Sequence, residues 1–190
     1  MKMEHGMRTP LVMSLAAGLV LVAQIVSGQG KTIQAALISS SSRTLAPDFE
    51  LQDLNGKAVR LSESRGLVVL LDFWATKCGG CVEEIPQFIE IASANQAKGL
   101  RTLGVAEDII YENLAGADQA WQQVKPFVRD HKMTYPVVLD DREVHRAYDI
   151  SALPLTYLLD RQGRIAARYA GVVDRRDLER NIALLLQERR

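Results

Sequence analysis

The chain's two cysteines, Cys78 and Cys81, stand three positions apart in a Cys-x-x-Cys pattern. Thiols at that spacing can close and reopen a disulfide, or supply half the ligands of a tetrahedral metal site. The stabilisation from a cross-link grows with the loop it closes, so a purely structural bond across so short a loop explains little. Reversible dithiol chemistry explains the spacing better. The pair follows an apolar run, Leu67 to Phe73, broken only by Asp72, and precedes a helical pattern. Such a junction sets unpaired backbone N–H groups and the positive end of a helix dipole beside Cys78, which favours its thiolate. Cys78 is expected to be the exposed attacking sulfur. Cys81, one turn inward, is expected to resolve the mixed disulfide by attacking the Cys78 sulfur.

Other residues around the pair carry chemistry. Asp72 is a charge inside an apolar strand. Burial would raise its pKa enough to make it a proton acceptor or donor for Cys81, whereas a solvated strand end would leave it ordinary. Glu84 lies three residues beyond Cys81 on the same helical face and is the second acidic candidate, against a plain helix-surface charge. Lys77 places a positive charge beside Cys78, which lowers a thiol pKa, but a surface lysine is an equal reading. Trp74 is expected at the edge of the site, the alternative being a packed strand end. Gly79 and Gly80 loosen the first helical turn and leave an extra N–H near the sulfurs.

The positioning elements are legible from patterning. Two short extended runs between Phe49 and Leu61 flank Asn55 and Gly56, a dipeptide suited to a hairpin turn. Leu67 to Phe73 reads as a central strand buried on both faces. A helix runs from Cys78 to about Ala97, bent at Pro86 and stopped by Gly99. Leu103 to Ala106 reads as the next strand, 107–117 as a loop or short insertion, and Trp121, Val124, Phe127 and Val128 as the core face of another helix. Strands are expected at Pro136 to Leu139, Leu155 to Leu159 and Arg164 to Tyr169, with Gln162 and Gly163 turning the last two into an antiparallel pair. Asp174 is placed to cap a closing helix carrying Leu178, Ile182, Leu185 and Leu186 on one stripe. The result is an α/β chain that ends in a hairpin and a helix.

A hydrophobic share of 47% suffices for one core, and 23 basic residues against 23 acidic ones leave no global field that favours nucleic acid. Lys2 and Arg8 precede an uncharged run from Leu11 to Val26, and Val26, Ser27 and Gly28 offer a small-residue cleavage pattern. Residues 1–28 are therefore expected to be a signal peptide or an N-terminal membrane anchor. The run falls short of the roughly 20 apolar residues of a membrane helix, so anchoring by 11–26 would need local thinning of the bilayer. Residues 29–45, with the serine run Ser39 to Ser42, are expected as a flexible linker, and 46–190 as the folded domain. This organisation implies a periplasmic or other extracytoplasmic protein, secreted or anchored to the inner membrane.

Taken together, the motif around Cys78 and Cys81 resembles thioredoxin-superfamily active sites. Ala46, Pro47, Asp48 and Phe49, with Leu51, Asp53, Leu54, Asn55, Gly56 and Lys57, resemble the opening of the TlpA/ResA-like branch, which is related to the AhpC/TSA redoxins. Glu84, Ile85 and Pro86 match that branch too, as do Ala152, Leu153, Pro154, Leu155 and Thr156 before a strand ending in Asp160. The resemblance spans about residues 46 to 188. It implies a thioredoxin-like fold, a central mixed β-sheet flanked by helices, with an N-terminal β-hairpin extension. It also implies that Glu84 tunes the cysteine pair, and that the Leu153–Pro154 peptide is cis and faces the sulfurs to guide substrate; sequence alone allows a trans turn proline. Many relatives carry asparagine where this chain has Asp72, and usually tryptophan where it has Lys77. The activity implied is thiol–disulfide exchange without an organic cofactor. The implied partners are exported disulfide- or dithiol-containing proteins, reduced with electrons from a membrane thiol reductase.

Two other functions compete. A metal-binding carrier would use the cysteine pair, but His131 and His145 lack ligand spacing and His5 lies in the exported segment. A thiol peroxidase of the related peroxiredoxin group would need threonine three residues before its attacking cysteine. Ala75 stands there instead, and Thr76 comes one residue too late.

Overall fold

The computed structural model describes residues 32–188; the expected signal or anchor segment, 1–28, lies outside them. A five-stranded mixed sheet runs in the order β5 (Val137–Leu139), β4 (Leu100–Ala106), β3 (Val68–Trp74), β6 (Leu155–Leu159), β7 (Ile165–Ala170). β3 pairs parallel with β4, and β4 parallel with β5; β6 pairs antiparallel with both β3 and β7. The expected hairpin is present as β1 (Glu50–Gln52) and β2 (Ala58–Arg60), with Gly56 at φ 79° in its turn. It joins the main sheet through a bridge between Asp53 and Val138.

β3 is buried on both faces, and its period-two alternation sorts its side chains between two cores. Val68, Leu70 and Trp74 pack with α1 (Gly79–Asn95), α3 (Ala117–Asp130) and α5 (Arg175–Gln187). Val69, Leu71 and Phe73 pack with the hairpin and with Val144 and Tyr148, at and just beyond α4 (Glu143–Ala147). The alternation sends Asp72 to the first face, beneath α1. Gly99 adopts φ 101° after a short 3-10 turn and ends the α1 region where the sequence predicts. Asp174 caps α5 by accepting the Asp177 N–H. Within 107–117 a short helix, α2 (Asp108–Tyr111), forms; the expected loop or insertion is partly helical. α4 carries no strong sequence signal, because five residues are too few to show a 3.6-residue period.

The described part of the expected linker, 32–45, is held against the domain. Ile33 bridges Val173, Leu45 bridges Arg164, and the Ile38 N–H donates to the Ala166 carbonyl. Asp177 accepts the Ala35 N–H and Asn181 donates to the Ala35 carbonyl, so α5 satisfies backbone groups of this strap. Arg43 is buried and donates to both Asp160 and Glu188. Composition misleads here because small polar residues are ordered by partners distant in sequence, which no local pattern displays.

Candidate functional site

Cys78 is the N-cap of α1, and its sulfur accepts the Cys81 N–H at 3.3 Å. That is one of the orphan donors of a helix N-terminus, turned onto the sulfur expected from the sequence to be the attacking one. The two sulfurs form a disulfide. Both cysteines are buried, Cys78 at 3% exposure, and pack with Trp74, Ala75 and Ile85. The exposed sulfur expected from sequence is thus covered in the disulfide form, because the turn lies under neighbouring segments. The Leu153–Pro154 peptide is cis. A Cβ on Gly80 would stand 3.3 Å from Pro154 Cδ and 3.1 Å from Val172 Cγ2. The glycine therefore admits a close approach of the Pro154 loop as well as loosening the turn.

Behind the disulfide lies a buried acidic patch. Asp72 is 2% exposed and Glu84 1%, which removes the solvated alternatives for both. Burial, then the Glu84 charge, pushes the Asp72 carboxyl well above its usual range. Burial also raises Glu84, to about 7, against the N–H bond from Val173 that favours its charge. Asp72 Oδ1, Glu84 Oε2 and the Tyr135 hydroxyl have no hydrogen-bond partner among the described residues. Burial and the neighbouring Asp72 and Glu84 also raise the Tyr135 hydroxyl. Sequence reasoning missed Tyr135, whose only signal is an aromatic residue just before a strand.

For two of the expected contact residues the structure shows the alternative reading, a packed strand end at Trp74 and a surface lysine at Lys77. Trp74 is fully buried and stacks on Phe127 with ring centroids 5.1 Å apart, so its ring offers no surface to a substrate. Gly104 makes room for it, since a Cβ there would lie 2.9 Å from Trp74 Nε1. Lys77 points to solvent and pairs with Glu112. Its charge is therefore largely answered away from Cys78. Thr76 Oγ1 lies 2.5 Å from Asp108 Oδ1 and 3.0 Å from Glu112 Oε1. Although burial pushes Glu112 up, the Lys77 and Thr76 bonds hold it below its usual range. Leu153 is half-buried and Pro154 buried beside the Gly80 turn.

A disulfide at a helix N-terminus, backed by carboxyls that hold protons near neutral pH, can pass two electrons and two protons. The comparisons agree with that chemistry. Residues 43–168 match the AhpC/TSA family. The thiol-disulfide oxidoreductase ResA of Bacillus subtilis is 35% identical over 164 residues, covering 84% of this chain and 85% of that protein. A secreted thiol-disulfide isomerase from Corynebacterium glutamicum superposes with a TM-score of 0.67 at 26% identity, covering 85% of this chain and 96% of that one. The thioredoxin domain of a thiol-disulfide oxidoreductase from Bacteroides vulgatus gives 0.63 at 27% identity, over 76% of this chain and 96% of that domain.

Proposed function

For this chain, which belongs to the AhpC/TSA family and is a thiol–disulfide oxidoreductase, we propose an extracytoplasmic role as a reductant of exported disulfide-containing proteins. The observation that carries the reading is the Cys78–Cys81 disulfide capping α1 in front of Asp72 and Glu84. In the reduced form the Cys78 thiolate attacks one sulfur of a substrate disulfide. A Cys78–substrate bond forms, the substrate S–S bond breaks, and the departing substrate sulfur takes a proton. Cys81 then gives up its proton and attacks the Cys78 sulfur, which releases the second substrate thiol and restores the Cys78–Cys81 disulfide. Two electrons have passed to the substrate.

Glu84, raised to about 7, is matched to receive the Cys81 proton near neutral pH, with Asp72 as a second, more tightly held proton site. The Leu153–Pro154 segment guides the substrate backbone past the cysteine turn, and Lys77 contributes only at its exposed rim. A membrane thiol reductase recharges the pair. The apolar run 11–26 supports export, with 1–28 removed or kept as an anchor, and so does the secreted relative from Corynebacterium glutamicum. Among the described residues no helix is long and apolar enough to cross a membrane. Ala75 stands where the peroxidase alternative needs a threonine, and the neighbouring Thr76 hydroxyl is bonded to Asp108 and Glu112, which argues against that alternative.

The test is the reduction potential of the Cys78–Cys81 pair, equilibrated in defined thiol buffers. A value near about −270 mV or below is expected for a reductant, and one near about −120 mV assigns an oxidant instead.

A further inference from the structure

We propose that Glu107, Asp140 and His145 form a binding site for a divalent cation of the zinc type, separate from the redox sulfurs. Glu107 follows β4, with its N–H donating to the Trp74 carbonyl at 2.8 Å; Asp140 follows β5, with its N–H donating to the Ala106 carbonyl at 3.0 Å. Two adjacent parallel strands thus deliver carboxylates to one end of the sheet, and α4 brings the imidazole of His145 to them. That carboxyl end is where open α/β sheets gather their ligands.

One ligand atom from each of the three residues lies within 4.8 Å of the others. His145 Nδ1 is 2.8 Å from Glu107 Oε2. Glu107 and Asp140 are each 1% exposed, yet Glu107 Oε1 and Asp140 Oδ2 have no hydrogen-bond partner among the described residues. Burying such an oxygen unpaired is costly, and more so if it is charged. A cation among the three side chains answers both oxygens at once. Access comes from a cavity of about 290 Å³ lined by Glu107, His145, Ile110, Tyr111 and the segment Ile150–Leu153.

One imidazole nitrogen with two carboxylate oxygens suits zinc or a neighbouring transition ion. Calcium and magnesium prefer shells of oxygen alone. Three protein ligands beside a cavity leave a fourth position for water or an incoming ligand. The competing account is a proton shared by the two acids, since burial, then Asp140, pushes the Glu107 carboxyl up to about 9.

Zinc chloride titrated calorimetrically into the oxidised full-length chain separates the two, because sulfurs locked in the disulfide supply no thiolate ligand. One zinc per chain is expected, with affinity lowered at least about tenfold in His145→Ala and in Glu107→Gln. His145 is partly exposed, so its replacement should leave folding and disulfide exchange in place, which the exchange rate checks. Absence of saturable zinc binding by the oxidised chain, or binding that survives both substitutions, overturns the proposal in favour of the shared proton.

Discussion

Two regions of the sheet each bury a pair of acids, and they differ in what faces the pair. Asp72 of β3 and Glu84 of α1, one turn past Cys81, are buried together, with Tyr135 and the Val173 N–H as polar neighbours. Glu107 and Asp140 sit at the ends of β4 and β5, where His145 and an open cavity face them. Burial lifts the proton affinity of both pairs for the same desolvation reason. Among the described residues the first pair has the Tyr135 hydroxyl and the Val173 N–H beside it, which suits the proposed role of holding and passing a proton. The second has an imidazole and a cavity beside it, which suits the proposed coordination. Perturbed acidity by itself therefore does not assign a role; the neighbours of the carboxyl do.

The comparison breaks first, and most visibly, at the sulfurs. Replacing both cysteines by serine is expected to abolish disulfide exchange while leaving zinc binding intact. Cys81→Ser alone is expected to accumulate a covalent Cys78–substrate adduct on non-reducing gels. An adduct seen in Cys78→Ser instead would reverse the two roles.

A smaller effect is expected from Glu84→Gln. The rate at which Cys81 resolves the mixed disulfide should rise as pH passes through about 7 in the parent, where Glu84 ionises, and lose that inflection in the variant. The stability sign follows from the same raised pKa. Protonated Glu84 favours the fold, so its contribution is fully present below the ordinary value of 4.5 and is lost as pH rises through about 7. Above that pH, urea unfolding should find Glu84→Gln more stable than the parent by up to roughly 3 kcal/mol. Glu107→Gln should leave the thiol pH profile unmoved, and an altered profile there would merge the two regions into one site.

The smallest effect belongs to Lys77→Ala. Its ammonium-bearing side chain is 66% exposed, although that of its partner Glu112 is only 7% exposed, and an ion pair open to water on the cation's side contributes little. Alkylation kinetics of the Cys78 thiol are expected to shift by less than about threefold. A larger drop would mean that the lysine charge acts on the thiolate after all.

Much of the redox region is legible in the amino-acid sequence. Cys-x-x-Cys at the end of an apolar run, Asp72 inside that run and Glu84 one turn beyond Cys81 are local patterns, and helix and strand periods carry local patterns faithfully. The strand Leu155 to Leu159, the Asp174 cap and the turn at Asn55 and Gly56 are legible for the same reason. Exposure is what such patterns carry poorly. Trp74 and Lys77 both stand just before the motif in sequence, yet one is buried against Phe127 and the other turned to Glu112.

The amino-acid sequence by itself determined the alternation of elements, the redox pair and its place at the start of a helix, because each rests on neighbours within a few residues. Tertiary structure alone decided that Glu107, Asp140 and His145 converge, that Tyr135 stands near Asp72 and Glu84, and that residues 32–45 lie against β7 and α5. Most of those contacts join positions tens of residues apart. Only the register of parallel strands and the return of the chain across the sheet bring them together.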